Sequence, residues 1–180
     1  MPRIRQRYFA PQSGFPSQCL GATLIEVLIS LLIVAVGLLG MAGLQTVSLR
    51  TSHSATLRLQ ALVLGNDMLE RVLANRQGAL LGAYDDRPRI LNPGCMTPSG
   101  CDAAELAAHD LAQWQAALEG SLPAGAGTVC LDSTPQDGLP TAHGCDANEA
   151  GASAVYAVKI WWDEDRDTLA EQRFTLSFRP

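Results

Sequence analysis

The feature that most constrains this chain is an apolar run over residues 23–44, in which Glu26 is the one charged side chain. At about 1.5 Å per residue, a helix over this run is roughly 33 Å long, which is enough to cross the hydrocarbon core of a membrane. An ionised carboxylate inside hydrocarbon is costly, so Glu26 requires a partner or a function. The run therefore predicts a membrane helix with an acidic residue near its start.

The charges around the run favour one orientation in the membrane. Arg3, Arg5 and Arg7 precede it with no acidic residue among them, which favours a cytoplasmic N-terminus. Removing these three from the 13 basic residues leaves 10 against 18 acidic ones, so the rest of the chain carries a net charge of −8. An acidic remainder gives no reason to expect nucleic-acid binding.

Four of the five cysteines follow the run, on the side expected to be oxidising. Four cysteines allow three pairings. We expect the pairs that are near in sequence, Cys95 with Cys101 and Cys130 with Cys145, because both close short loops in stretches rich in Gly and Pro. Zinc bound by four thiolates is the alternative, but the chain contains no C-x-x-C pair.

Ordinary signals do not explain the N-terminus. Residues 1–20 are polar and the apolar run begins only after Gly21, whereas a secretory signal is cleaved after its apolar region. A lipoprotein signal ending at Cys19 fails for the same reason. A plain single-span anchor fits the length of the run but leaves Glu26 unexplained.

The stretch from Gly21 to Glu26, GATLIE, resembles the class III signal of type IV pilins and pseudopilins. The resemblance implies that prepilin peptidase cleaves between Gly21 and Ala22 on the cytoplasmic face and then N-methylates Ala22. Glu26 becomes the fifth mature residue, and its carboxylate pairs with the new ammonium group of a neighbouring subunit, which fixes the register of assembly. The chain departs from the family in having Ala22 where Phe is usual, and its leader is longer than many.

Residues 26–45 continue this resemblance and are most similar to the N-terminal helix of PilV-type minor pilins. Gly37, Gly40 and Gly43 recur every third residue, and glycines both permit close helix packing and weaken a helix. The resemblance implies that the helix loosens over residues 37–43 when the subunit enters the filament. Packing between membrane helices is an equal alternative for these glycines.

Beyond residue 45, apolar residues at three- and four-residue steps predict that the same helix continues to about Ala74. Gly78 and Gly82 end this pattern. The predicted stripe comprises Leu57, Ala61, Leu64, Met68 and Val72. The predicted domains are a leader (1–21), a transmembrane part of the helix (22–45), an amphipathic part (46–77) and a globular head (78–180).

The head is predicted to contain one more helix and three strands. Asp102 and Glu105 are spaced as a capping box at the start of the helix, and Trp114 on its apolar stripe is expected to anchor the core. Residues 110–132 again resemble PilV-type proteins. Strands are predicted at 127–132, 153–162 and 171–179, with alternating apolar faces formed by Tyr156, Val158, Ile160 and Trp162 and by Phe174, Leu176 and Phe178. The fold class is α+β and pilin-like, with a long N-terminal helix packed on a small antiparallel sheet.

Residues 163–167, DEDRD, alternate acidic side chains like the start of a calcium loop. Thr168 stands where such a loop has glycine, and Phe174 where it has the bidentate glutamate. A charged hairpin turn is therefore the favoured interpretation, and no metal or cofactor is expected. Residues 133–152 are expected to form a loop closed by the Cys130–Cys145 disulfide.

The sequence contains no constellation that indicates an enzyme. His53, His109 and His143 are scattered, and no triad, phosphate-binding loop or H-E-x-x-H motif accompanies them. The resemblance instead implies a minor pilin that takes part in priming type IV pilus assembly and so supports twitching and adhesion. Its implied partners are other minor pilins, the major pilin, prepilin peptidase and the inner membrane.

The implied location is a single pass through the inner membrane with the head in the periplasm, followed by incorporation into the pilus, with the tip as one option. Three other functions remain open. A pseudopilin of type II secretion shares the front end, and a tip adhesin would use residues 133–152 for binding. A membrane-anchored enzyme is the remote alternative.

Overall fold

The computed structural model describes residues 21, 23–147, 150–166, 170 and 172–180. The elements, in chain order, are α1 (Leu24–Ala74), α2 (Arg76–Leu80), a short 3₁₀-helix (Pro93–Met96), α3 (Ala103–Ser121), β1 (Ala126–Leu131), β2 (Tyr156–Trp162) and β3 (Gln172–Phe178). The chain divides into two compact units at Val47–Ser48. The α+β composition expected from the sequence is present.

Helix α1 is continuous over 51 residues and ends at Ala74, where the hydrophobic pattern predicts its end. One side of its second half is buried at steps of three and four residues, the spacing that keeps side chains on one face. The buried positions are Leu57, Ala61, Gly65, Met68 and Val72. Gly65 is required for close packing, because a Cβ there would lie 2.7 Å from Cε1 of Phe174 on β3.

Helix α1 ends at Ala74, so the predicted amphipathic part, residues 46–77, extends past it into α2. Asn75 leaves the helical conformation, and its Oδ1 accepts a hydrogen bond from the Gly78 amide at 3.2 Å, which starts α2. Gly78 therefore lies inside a short second helix instead of ending the first. Asn75 is buried because its Nδ2 donates to the carbonyl of Ala103 at 2.7 Å and to the hydroxyl of Tyr84 at 3.1 Å.

Helix α3 begins at the predicted capping box. Asp102 Oδ1 accepts hydrogen bonds from the amides of Ala104 and Glu105 at 2.9 and 2.8 Å, and Glu105 Oε2 accepts one from the Asp102 amide at 3.2 Å. These bonds satisfy amides that the first turn of a helix leaves without partners. The prediction from the Asp-x-x-Glu spacing is confirmed.

The three strands form one antiparallel sheet in the order β1-β2-β3, with β2 in the centre. Val158 on β2 pairs with Val129 on β1 and with Leu176 on β3. The central strand starts at Tyr156, three residues later than predicted, because the amide of Ala154 is bonded to the Gly151 carbonyl in a turn. The other strand limits agree with prediction to within one residue.

The core contains the buried side of α1, helix α3 and one face of the sheet. Trp114 is fully buried, and its Nε1 donates a hydrogen bond to the Leu64 carbonyl on α1 at 2.9 Å. Gly127 on β1 leaves room for the ring, because a Cβ there would lie 2.5 Å from Trp114 Cη2. The predicted role of Trp114 as a core anchor is confirmed.

The sheet is more deeply covered than its alternating pattern predicts. All seven residues of β2 are buried, including Ala157, Lys159 and Trp161 on the face away from the core. The loop that follows β1 folds over this face and covers it.

Candidate functional site

The first candidate site is the start of α1. Thr23 precedes the helix, and its carbonyl accepts hydrogen bonds from the amides of Glu26 and Val27 at 3.0 and 3.2 Å. Thr23 Oγ1 also lies 3.3 Å from the Glu26 amide. Glu26 therefore occupies the first turn with an exposed side chain, accessible to a partner group.

The residue on the amino side of the expected cleavage point, Gly21, is exposed. Ala22, where cleavage and methylation are expected, lies outside the described residues. So does the rest of the expected leader, including Cys19. Gly21 thus lies before α1, and Glu26 lies within its first turn.

The apolar part of α1 presents an uninterrupted hydrophobic surface. Every large apolar side chain from Leu24 to Leu49 is at least 48% exposed. A surface of this extent rarely faces water in soluble monomers and indicates a membrane or a protein interface. The helix is long and apolar enough to cross a membrane.

The three glycines of this part lie on an unbroken stretch of helix. A Cβ added at Gly37, Gly40 or Gly43 would meet no atom within 4 Å. No atom of the described residues therefore requires glycine at these positions. The expected loosening of residues 37–43 concerns the assembled filament and stays a prediction.

The second half of α1 also exposes apolar side chains opposite its buried face. Leu59 and Val63 are 61% and 57% exposed, and Leu62 is 44% exposed. Their spacing of three and four residues places them along one stripe. This stripe is suited to packing against another helix.

The disulfides of the head have the pairing expected from the sequence. Cys95 is bonded to Cys101 across the 3₁₀-helix, with Cα atoms 4.7 Å apart. Cys130 at the end of β1 is bonded to Cys145, with Cα atoms 6.0 Å apart. The second bond closes the loop that covers the outer face of β2.

The only lysine of the chain, Lys159, fastens this loop to β2. Its Nζ is fully buried and lies 2.5 Å from Asp132 Oδ2 and 2.9 Å from Asp137 Oδ1. Nζ also donates to the backbone carbonyls of Asp137, His143 and Gly144 at 3.1, 2.9 and 3.3 Å. Two carboxylates and three carbonyls thus surround one buried ammonium group, as a buried charge requires.

Two carboxylates of the loop have lowered pKa values. The hydrogen bond from Lys159 Nζ, followed by that from the Thr134 hydroxyl, lowers the pKa of Asp137. The amide and hydroxyl of Ser133 lower the pKa of Asp146 to about 2. Both side chains are therefore ionised throughout the neutral range and hold the loop in one conformation.

The outer part of the loop packs on the same strand. The His143 ring stacks on Trp161 with centroids 5.8 Å apart, and its Nδ1 lies 3.1 Å from Asp86 Oδ1. Arg173 on β3 donates to the carbonyls of Gly138 and Gln136. Residues 133–147 consequently pack on the outer face of the sheet through several contacts.

A buried polar network surrounds Asp110, the residue that follows His109 in the sequence. Asp110 Oδ2 accepts a hydrogen bond from the Tyr84 hydroxyl at 2.8 Å, and its Oδ1 lies 3.3 Å from Arg71 Nη1. Burial, and then the bond to Asp110, raises the pKa of Tyr84. His109 faces elsewhere, with Nδ1 accepting from the Asn92 amide at 3.0 Å. These contacts join α1, α3 and the connecting segment and have a structural role.

The described part of the acidic segment, residues 163–166, bends away from the end of β2. Asp163 is buried, its Oδ1 accepts from the Arg166 amide at 2.6 Å and its amide donates to the Pro123 carbonyl at 2.9 Å. Asp167 and Thr168, which the comparison with a calcium loop also uses, lie outside the described residues. Within the described part of the chain, no group of three Cys, His, Asp or Glu side chains is placed to hold a metal ion.

Comparison of the chain with family models, curated proteins and solved structures finds no match. What the chain does is therefore inferred from its own residues.

Glu26 stands out in the sequence, whereas the role of Lys159 is visible only in the structure. A lone lysine between Val158 and Ile160 in a strand of apolar residues was the available signal. Its partners belong to a loop without hydrophobic periodicity, so no sequence pattern predicts that they contact Lys159 Nζ.

Proposed function

We propose that the chain is a minor pilin of the PilV type that takes part in initiating type IV pilus assembly, and so supports twitching motility and adhesion. The observation that carries the proposal is Gly21 followed, five residues later, by an exposed Glu26 in the first turn of an otherwise uncharged apolar helix. A membrane anchor alone has no need of this carboxylate.

In this proposal, prepilin peptidase cleaves after Gly21 and methylates the new amino group of Ala22. The charged Glu26 of one subunit pairs with the ammonium group of its neighbour. Pairing removes the cost of leaving two charges unmatched in a low-dielectric region, although the pair need not add net stability. Its main effect is to select one register between adjacent helices.

The exposed surfaces of α1 fit a subunit that packs against other helices. Its apolar first half is exposed on all sides, and the stripe of Leu59, Leu62 and Val63 extends this surface into the second half. In the membrane the first half contacts lipid. In a filament, other minor pilins and the major pilin would cover both the first half of α1 and this stripe.

The proposed topology places the head in the periplasm. Arg3, Arg5 and Arg7 favour a cytoplasmic N-terminus. The two disulfides of the head fit an oxidising compartment. No nucleic-acid partner is proposed.

A pseudopilin of type II secretion is a second candidate, because its signal and membrane helix have the same features. The two disulfides and the Trp114 helix favour the pilus. A tip adhesin is a third, favoured by the loop of residues 133–147, which Lys159 and the Cys130–Cys145 bond hold in one conformation. Such preorganisation lowers the entropic cost of binding.

A clean deletion with complementation tests the proposal. We expect the deletion to reduce surface pili while the cellular level of major pilin is unchanged, and the wild-type gene to restore them. Normal piliation would contradict a priming role. Loss of exoprotein secretion with intact pili would assign the chain to type II secretion, and loss of attachment alone would assign it to adhesion.

A further inference from the structure

A cleft lined by residues with polar side chains lies between α1 and the segment that follows β2. It has a volume of about 480 Å³ and is lined by Arg50, His53, Ser54, Glu164 and Asp165. This is within the size range of small-molecule sites. We infer that the cleft binds a phosphate ester that carries a primary amine, supplied by the phosphatidylethanolamine head groups of the membrane that α1 spans.

One wall of the cleft offers hydrogen-bond donors suited to a phosphate. Arg50, His53 and Ser54 stand at positions i, i+3 and i+4 of α1, so their side chains lie on one face of the helix. A guanidinium binds two phosphate oxygens in parallel. The imidazole and the hydroxyl add further donors next to it.

The facing wall offers acceptors suited to an ammonium group. Glu164 and Asp165 carry carboxylates, and the nearest ion-pair contact of Glu164 is a long one of 3.9 Å to Arg58 Nη2. Arg58 donates instead to Gln172 Oε1 at 3.3 Å. Among the described residues, the buried Glu164 Oε2 accepts no hydrogen bond. A buried acceptor without a donor is unfavourable, and a primary ammonium group would supply the donor.

The residues of α1 that line the cleft follow the apolar run directly in the sequence. Arg50 is the first charged residue after Glu26, since residues 27–49 carry none. A helix over those residues extends about 35 Å, which covers the hydrocarbon core and reaches the head-group layer. Phosphate and amine groups are concentrated in that layer. The inference requires α1 to span a membrane but does not depend on assembly into a pilus.

The test uses the full chain in detergent micelles and native mass spectrometry with added phosphatidylethanolamine, phosphatidylcholine or phosphatidylglycerol. We expect phosphatidylethanolamine to bind most tightly, because the choline ammonium has no N–H to donate and the glycerol head group has no amine. Arg50→Gln and Glu164→Gln should each weaken its binding about tenfold, the effect of losing a hydrogen bond to a charged group. Arg76→Gln and Glu70→Gln, at exposed positions outside the cleft, are the matched controls.

Equal binding of the three lipids, or equal loss in the variants and their controls, would overturn the inference. Binding of soluble O-phosphoethanolamine without binding of the lipid would overturn the membrane as its source. N-terminal sequencing of the same samples separates this result from the proposed function. An uncleaved N-terminus contradicts the pilin pathway and leaves the lipid measurement valid.

Discussion

At the residue scale, Glu26 is the side chain whose removal should separate processing from assembly. We expect Glu26→Gln to leave cleavage after Gly21 intact but to reduce incorporation into sheared pili at least about tenfold, because the neutral amide cannot pair with the ammonium group of a neighbour. The measurement is an immunoblot of pilus and membrane fractions. Glu70→Gln, at an exposed position of the same helix, is the control. Equal incorporation of both variants would contradict the proposed pairing.

The free energy of unfolding of the head should depend strongly on the buried charge of Lys159. Lys159→Met leaves the fully buried Asp132 carboxylate without its cation, and breaking a buried pair in this way costs about 3–5 kcal/mol. Urea unfolding monitored by tryptophan fluorescence measures the loss. Combining Lys159→Met with Asp132→Leu removes the unpaired charge and should recover part of the stability. A loss below 1 kcal/mol for the single variant would show that the ammonium group is not buried.

The contrast between Asp102 and Lys159 shows which residue roles can be predicted from the sequence. The bonds of Asp102 lie within three residues of it, so the spacing to Glu105 suffices to predict the cap. Lys159 depends on residues 15–27 positions away that reach it through an irregular loop. No local sequence pattern predicts that these loop residues contact Lys159. Glu26 could be identified because its cost in an apolar helix is visible in the sequence itself.

At the element scale, the two disulfides should differ in their contribution to stability. The Cys130–Cys145 bond closes a sequence separation of 15 and the Cys95–Cys101 bond one of 6. Loss of loop-closure entropy makes the longer one worth about 3 kcal/mol and the shorter one less. Replacing each pair by serines and comparing the free energy of unfolding tests this order. A larger loss for the 95–101 pair would contradict it.

The attachment of the loop of residues 133–147 should weaken in acid. Asp137 and Asp146 have pKa values below those of the unfolded chain, where aspartate titrates near about 3.9. The folded state therefore binds fewer protons in this range, and stability falls as the pH falls. The contribution of both groups is fully present above about pH 5. It is lost as the pH falls through their folded pKa values, which for Asp146 is about 2.

Trp161 lies under this loop and reports its attachment, because His143 stacks on its ring. Fluorescence and near-ultraviolet circular dichroism between pH 6 and 2 should show the change in the wild type. Asp146→Asn should flatten the stability profile in the same range, since it removes the group with the most strongly lowered pKa. An unchanged profile in this variant would contradict the assignment.

The break between α1 and α2 could not be predicted from the hydrophobic pattern of the helix. The hydrophobic steps correctly predict that α1 reaches Ala74. Gly78 is a helix terminator in isolation, yet here it donates its amide to Asn75 Oδ1 and lies within α2. The break occurs at Asn75 because Tyr84 and Ala103 bind its side chain. These partners are 9 and 28 residues away, so only the tertiary structure reveals them.

At the scale of the whole molecule, periodicity was sufficient to predict the α+β composition and the three-stranded head. Helix and strand periods differ, and the chain keeps each over long stretches. The burial of the outer face of β2 was not predictable, because an irregular loop covers it. The large apolar side chains of the first half of α1 are exposed, and the proposed function follows from their need for a membrane and for neighbouring helices.

The intact mass of the membrane-extracted protein, with sequencing of its N-terminal peptide, shows whether the chain is processed as a pilin. We expect a chain that begins at N-methylated Ala22 and is lighter by about 4 Da before reduction than after it, for two disulfides. Lys159 is buried, so reagents for primary amines should not modify the native chain at that side chain. A chain that retains residues 1–21 in cells with active prepilin peptidase would contradict the pilin pathway, and Glu26 would then require another explanation.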